Sequence, residues 1–418
     1  MNNAPKGLRL HIGIFGRRNV GKSSLLNALT KQEVSLVSDI AGTTTDPVEK
    51  PMELLPLGPV LFIDTAGIDD EGALGAMRVE RSRQVIRRTD IAILVTNTLE
   101  WGSFEDELLT TFEQEKIKVI VVFNKTDTAE PSATVISHLK DKTIPFVRTV
   151  APDGKGILDL RAALVAAAPE EFINRPSLLA DLVPPGEMAV LVVPIDLEAP
   201  KGRLILPQVQ TIRDLLDNDS YAIVVKEREL KDALSRLNRP PALVVTDSQA
   251  FLKVAADTPQ EVPLTSFSIL FARFKGDLSE FVSGALAIEK LSPGDRVLIA
   301  EACTHHPLSD DIGRVKIPRW LTQYVGGKLD VSTSQGHDFP SDLSSYKLVI
   351  HCGSCMLNRR EVLSRIVQCK NAGVPITNYG MAIAYSLGIF ERALAPFPFV
   401  SDVFRQSDAK TYRKFANL

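Results

Sequence analysis

A chain of 418 residues is longer than one ordinary core organises, so two to four domains are expected. Its 44% hydrophobic and 24% charged residues suit a globular protein in water, and a net charge of −3 lacks the basic footprint that duplex nucleic acid demands. The longest apolar runs, such as Ile91–Val95 and Val119–Phe123, have strand length and cannot span a bilayer; Met1–Lys6 has no apolar stretch of a secretory signal, so a cytoplasmic protein is expected.

In chain order, Leu8–Phe15 reads as a strand and Lys22–Thr30 as the start of a helix. Val60–Asp64, Ile91–Thr96 and Val119–Asn124 read as further strands, and Ile157–Ala168 as a closing helix. Short β-branched runs between helices indicate a parallel sheet covered on both faces. Between the first strand and helix lies Gly16-Arg17-Arg18-Asn19-Val20-Gly21-Lys22-Ser23, followed by Ser24. Strand, GxxxxGKS and helix together make a phosphate loop: its glycines let backbone amides curl around phosphates, and the helix N-terminus adds partial positive charge. Lys22 is placed to reach the β and γ oxygens and Ser23 to ligate Mg2+.

Four more elements follow in order. In Gly42-Thr43-Thr44-Thr45, Thr45 can complete the magnesium shell. Asp64-Thr65-Ala66-Gly67 ends an apolar strand, offering Asp64 to the metal through water and the Gly67 amide to the γ-phosphate. Asn124-Lys125-Thr126-Asp127 ends another; Asp127 can accept two hydrogen bonds from guanine, which adenine lacks. Thr149-Val150-Ala151 stands where a backbone contact to the guanine carbonyl is expected. Over about residues 8–170 this set resembles the translation-factor-related GTPases, especially their Era/TrmE-like branch. The resemblance implies binding of GTP and GDP with Mg2+. Ile68 follows the Asp-Thr-Ala-Gly motif where a water-positioning glutamine is common. Asn19 resembles the asparagine of potassium-activated members, so slow hydrolysis stimulated by K+ is expected.

After Pro184-Pro185-Gly186 come a strand (Met188–Pro194), a helix (Gln208–Asn218), a strand (Tyr221–Val225), a helix (Leu230–Leu237) and a strand (Ala242–Thr246). No catalytic motif falls here, which suits a packing or dimerisation module. Beyond Pro263, Phe267–Lys275 and Asp277–Lys290 read as helical, and Val297–Glu301, Leu348–His351 and Val374–Thr377 as strands.

Soft metal ligands follow the first two of these strands: Cys303-Thr304-His305, and His351-Cys352-Gly353-Ser354-Cys355. Open α/β sheets bind ligands at the carboxyl ends of strands, so the position suits a site. Three thiolates select zinc or an iron–sulfur cluster. Three cysteines plus His305 or His351 satisfy a structural zinc, and three cysteines equally hold three irons of a 4Fe-4S cluster; spacing leaves both open. Glu301 and His306 lie nearby, and either motif histidine can instead orient its loop. Cys369, outside the motif, reads as a buried apolar thiol.

An Era-like GTPase followed by CxH and HCxxC is similar, over essentially the whole chain, to the FeFe-hydrogenase maturation GTPases, the HydF family. That resemblance implies an α/β chain in three parts: a P-loop GTPase domain at 1–172, a dimerisation domain at 173–262 and an iron–sulfur domain at 263–418. It implies a 4Fe-4S cluster on Cys303, Cys352 and Cys355, and a transient two-iron precursor carrying CO, CN⁻ and dithiolate. The implied partners are the FeFe-hydrogenase apoprotein, radical-SAM maturation enzymes and a second copy of the chain, with neither nucleic acid nor membrane. The chain has no CxxxCxxC motif, so making CO and CN⁻ is expected of other proteins. The competing readings are a zinc-containing GTPase of tRNA modification or ribosome assembly, and a redox sensor in which the cluster controls the GTPase.

Overall fold

The computed structural model describes residues 5–31, 48–55, 57–65, 83–98, 101–173, 177–194, 204–302 and 311–397. The chain divides into two compact units, Met1–Arg175 and Pro176–Leu418.

The first unit is built on six strands: β1 (Leu10–Phe15), β2 (Val48–Leu54), β3 (Gly58–Asp64), β4 (Ile91–Asn97), β5 (Lys118–Asn124) and β6 (Phe146–Thr149). Their order is β2-β3-β1-β4-β5-β6. Every pairing is parallel except β2 with β3. Alternate residues of a strand face opposite sides, and both sides here are apolar. Leu10, Ile12 and Ile14 pack on one face with helices α1 (Lys22–Lys31) and α4 (Ile157–Ala167). Phe15, Ile63 and Phe123 pack on the other with α2 (Ser103–Gln114) and α3 (Ala133–Asp141). Burying each such Leu, Ile or Phe side chain contributes about 1.5–3 kcal/mol, so the sheet holds its loops on a rigid base. Strand β2 was not expected: its Val-Glu-Lys-Pro-Met-Glu-Leu sequence has a proline and charges, which an edge strand tolerates.

The second unit holds two four-stranded sheets, parallel throughout. The first comprises β7 (Met188–Val192), β8 (Tyr221–Val225), β9 (Leu243–Thr246) and β10 (Leu264–Ser266) in the order β10-β9-β7-β8. The second comprises β11 (Arg296–Glu301), β12 (Asp330–Gln335), β13 (Leu348–His351) and β14 (Ile376–Asn378) in the order β12-β11-β13-β14. The first sheet is dressed by α5 (Leu206–Asp217), α6 (Leu230–Ser235) and α7 (Phe251–Asp257). Helices α8 (Phe267–Lys275), α9 (Leu278–Leu286), α10 (Ile317–Val325), α11 (Arg359–Asn371), α12 (Tyr379–Ser386) and α13 (Phe390–Leu394) complete the unit.

Helix starts follow side-chain caps. Ser266, Asp277, Asn358 and Asn378 each accept a hydrogen bond from a backbone N–H of the first turn that follows them. The segment expected as one helix over Asp277–Lys290 is α9 plus a 3-10 turn, Ala287–Lys290. Gly284 in α9 lets the helix lie against β14; a Cβ there would sit 1.8 Å from the Ile376 carbonyl oxygen. Helix α8 touches α5 beside the first sheet and α11 and α12 beside the second. One buried apolar cluster therefore runs from Leu178 to Phe397. No helix among the described residues is long and apolar enough to cross a membrane.

Candidate nucleotide and metal sites

The loop from β1 to α1 depends on two glycines with left-handed backbone. Gly16 has φ +141°, and a Cβ on it would fall 2.0 Å from the Val95 carbonyl oxygen. Gly21 has φ +96°, and a Cβ on it would meet the Asn124 amide nitrogen at 2.3 Å. Asn19 between them is also left-handed, at φ 63°, a conformation asparagine tolerates better than most residues. Lys22 Nζ donates to the carbonyls of Gly16 at 2.5 Å and Arg17 at 2.9 Å, so the ammonium lies inside the curl of the loop. Ser23 Oγ donates to Asp64 Oδ2 at 2.9 Å, which brings together the two groups expected beside Mg2+. The Thr65 hydroxyl ties the end of β3 to β1 through the Ile14 carbonyl at 2.7 Å.

Asn124 joins three loops. Its amide donates to the Val20 carbonyl at 2.9 Å, and its Oδ1 accepts from Thr149 Oγ1 at 3.1 Å and Ala151 N at 3.2 Å. Lys125 Nζ donates to the Asn19 carbonyl at 2.7 Å. The phosphate loop, the Asn-Lys-Thr-Asp turn and Val150–Ala151 thus form one connected frame, with Asp127 exposed at its rim. Ser24 is exposed on the first turn of α1.

Sequence reasoning passed over Glu105. This fully buried carboxylate takes a bidentate pair from Arg17 at 2.8 and 2.9 Å and the Gly102 amide at 2.9 Å, fastening the phosphate loop to the start of α2. The only sequence signal was Gly-x-x-Glu ahead of an apolar run. Thr43, Thr44, Thr45, Ala66, Gly67 and Ile68 lie outside the described residues.

In the second unit, β11 and β13 are parallel neighbours with Ala300 opposite His351, so the segments bearing the two cysteine motifs leave the same edge of one sheet. Cys352 N donates to the Ala300 carbonyl at 2.9 Å. Cys352 Sγ accepts from Ala302 N at 3.0 Å and Ser354 N at 3.4 Å. Ser354, at φ 56°, turns the chain toward Cys355. Burial pushes the Cys355 thiol up, and the charge of Lys275 opposes that rise. Cys303 follows Ala302 in the chain, but Cys303, His305 and His306 lie outside the described residues. Among the described residues no group of three or more His, Cys, Asp or Glu side chains is placed to hold a metal ion.

His351, a candidate ligand from sequence, is fully buried with both ring nitrogens engaged. Arg365 Nη1 lies 3.0 Å from Nε2; a guanidinium only donates, so Nε2 accepts and the ring proton is on Nδ1. Nδ1 then donates to the Cys352 carbonyl at 3.0 Å, with Ser354 Oγ also at 3.0 Å. Burial first, and the Arg365 charge second, push His351 down to about 3, so the ring is neutral. In this arrangement it orients the cysteine turn. Arg365 in turn pairs with Glu361 at 3.0 Å, and Glu361 with His337 at 3.0 Å. Glu301 is buried and held by Arg314 at 3.0 Å. Cys369 is buried in α11, its thiol pushed up to about 12 by desolvation.

A mainly parallel sheet with a strand–phosphate loop–helix start and an Asn-Lys-Thr-Asp turn at its carboxyl edge defines a P-loop GTPase domain, here followed by two wholly parallel sheets. Residues 11–125 match the model of the 50S ribosome-binding GTPases. Residues 178–276 match the hydrogen maturase F dimerization domain and residues 279–396 the hydrogen maturase F tetramerization domain. The chain belongs to the hydrogen maturase F (HydF) family.

Its GTPase part is 39% identical over 168 residues to the tRNA modification GTPase MnmE of Exiguobacterium sibiricum, a match covering 40% of this chain and 36% of that protein. It is 41% identical over 131 residues to the GTPase Der of Wolinella succinogenes, covering 30% and 27%. The chain thus spans about a third of the length of these curated relatives. The G domain of the T. maritima FeoB iron transporter matches 38% of this chain and 98% of its own at 24% identity, with a TM-score of 0.31.

Proposed function

We propose that the chain is a GTP-hydrolysing scaffold and carrier that holds a 4Fe-4S cluster and delivers a two-iron precursor to FeFe-hydrogenase apoprotein. The observation that carries this reading is the Cys352 thiol, which accepts the Ala302 amide at 3.0 Å where β11 and β13 end side by side. Cys303 is the next residue after that amide, so Cys303, Cys352 and Cys355 are our three cluster ligands; His305 is retained as a further candidate. The residues present fit an anionic cluster: two half-buried thiols, backbone N–H donors to one sulfur and a buried ammonium behind their turn. When bound, the cluster supplies one-electron chemistry and an iron for docking the precursor. The protein's own part is to fix the cysteine turn through His351, Ser354 and Lys275 and to release its cargo.

In the first unit, Lys22 and the Gly16–Ser24 amides take the phosphates, and Ser23, Thr45 and Asp64 hold Mg2+ directly or through water. Gly67 contacts the γ-phosphate, while Asp127, Lys125, Val150 and Ala151 hold guanine. Asn19, at the left-handed bend of the loop, is our K+ ligand. Hydrolysis measured in KCl is expected to exceed that in NaCl by tenfold or more (about 1.4 kcal/mol in the barrier), and equal rates would remove K+ from the scheme.

The three-part division at 172/173 and 262/263 and a cytoplasmic setting belong to the same proposal. So do radical-SAM maturation enzymes as suppliers of the precursor. A homodimer through the middle part is supported by β8, an edge strand whose Tyr221 and Val224 are exposed beside the exposed Val209 and Leu216 of α5. Unpaired strand edges are ready partners for a second copy.

Two measurements test the core of the proposal. Protein reconstituted with iron and sulfide should be brown, and Cys352→Ala and Cys355→Ala should each abolish the colour while leaving GTP hydrolysis intact. A colourless zinc protein would favour the tRNA or ribosome reading, and hydrolysis lost together with the cluster would favour the sensor. Protein loaded with the two-iron precursor should activate apo-hydrogenase; failure with folded, loaded protein ends the carrier reading.

A further inference from the structure

Behind the turn that bears Cys352 and Cys355 lies a buried ammonium. Lys275, the last residue of α8, is 1% exposed. Its Nζ donates to the carbonyl of Ser354 at 3.1 Å and of Leu357 at 2.5 Å, two carbonyls of the cysteine turn and its exit. The rest of α8 is mainly apolar core, with Phe267, Ile269, Leu270 and Phe271 all buried. A lysine is among the side chains least often buried, and desolvating its charge costs several kcal/mol unless anions answer it. Burial lowers Lys275 to about 8, which leaves it charged at neutral pH.

Cys355, Cys352 and Glu361 face Lys275, and negative charge on them favours its charged form. Glu361 already pairs with the buried Arg365 and with His337. Among the described residues, the buried cations Lys275 and Arg365 thus stand beside this turn with the Glu361 carboxylate. Thiolate ligands of an anionic metal centre on the two cysteines would place negative charge opposite Lys275.

We propose that Lys275 is a positioning residue for the cluster: through the Ser354 and Leu357 carbonyls it fixes the cysteine turn, and its charge raises the cluster's reduction potential. This rests on reading Cys352 and Cys355 as cluster ligands. Reduction adds one electron, taken from a low-potential one-electron donor, to a centre that is already negative; Lys275 gives up no proton and forms no bond. A fixed cation close by in a poorly screened interior favours the more negative, reduced state.

The experiment compares the full-length wild type with Lys275→Met, Lys275→Gln and Lys275→Arg. Each is reconstituted anaerobically with ferrous iron and sulfide and titrated with dithionite under electron paramagnetic resonance. Lys275→Met and Lys275→Gln should shift the reduction equilibrium at least tenfold toward the oxidised cluster, a potential lower by about 59 mV. Lys275→Arg should stay within that shift of the wild type. Loss of iron from both neutral variants with retention in Lys275→Arg also supports the proposal. Neutral variants that titrate like the wild type overturn it. So does loss of iron from all three folded variants, which would mean that lysine's shape and not its charge is required. Unfolding of both neutral variants before iron is added, seen by circular dichroism, overturns it too, since the charge would then serve the fold alone. A wild type that takes up no reducible cluster instead defeats the proposed function above, a result distinct from all of these.

Discussion

Arg365→Met is expected to lower the stability of the second unit, measured without added metal, by about 3–5 kcal/mol, the cost of breaking a buried ion pair from one side. Arg365 is among the largest fully buried side chains of the chain. Its guanidinium donates to Glu361 at 3.0 Å, to the Gly336 carbonyl at 2.6 Å and to His351 Nε2 at 3.0 Å, and it lies 5.0 Å from the centroid of the Phe339 ring. Methionine fills much of the space but returns none of these hydrogen bonds and leaves Glu361 without its nearest buried cation. Urea unfolding followed at the second unit measures the loss. Adding Glu361→Gln should recover part of it, because the partner charge is then gone as well. A loss below about 1 kcal/mol, the range of an exposed pair, would show that the guanidinium is hydrated in solution and that the buried network does not hold.

Asp127→Asn should exchange the nucleotide the first unit prefers. A carboxylate accepts from guanine N1–H and from its 2-amino group, whereas a carboxamide has one acceptor and one donor. Xanthine presents N1–H and a carbonyl and so matches the amide. A site built to bond particular polar groups rejects a mismatched base by on the order of 10⁴-fold. The rim at Asp127 is firm enough for that discrimination, since Asn124 ties the turn to Val20 and Ala151 and Lys125 ties it to Asn19. Calorimetric titration with GTP and with xanthosine triphosphate reads the exchange. Unchanged GTP affinity would place the guanine contact elsewhere.

What could be read from the sequence was what is local. Strands β1, β4 and β5 are continuous apolar runs, so their burial on both faces was legible. The phosphate loop was legible because its pattern is contiguous, although the steric demands on its two glycines come from Val95 and Asn124 on other strands. Strand β12 (Asp-Val-Ser-Thr-Ser-Gln) is polar and half exposed at a sheet edge, so no periodicity announced it. Nothing local in the sequence singles out Lys275 or Arg365; their burial appears only when α8 and α11 are folded onto the cysteine turn. Glu105 was missed for the same reason: its partner Arg17 lies 88 residues away. His351 carried a ligand's motif, yet its surroundings occupy both ring nitrogens.

The thiol of Cys352 and the amide of Ala302 meet from fifty residues apart, across two strands that pair only inside a finished sheet. Unlike a short motif whose residues are neighbours in sequence, this edge comes into being only after β13 has slotted between β11 and β14. The second unit has a buried apolar cluster running from Leu178 to Phe397, whereas a zinc finger has its metal to fold around. A chain that ends before β13 would keep the Ala302 amide and lose the contact altogether.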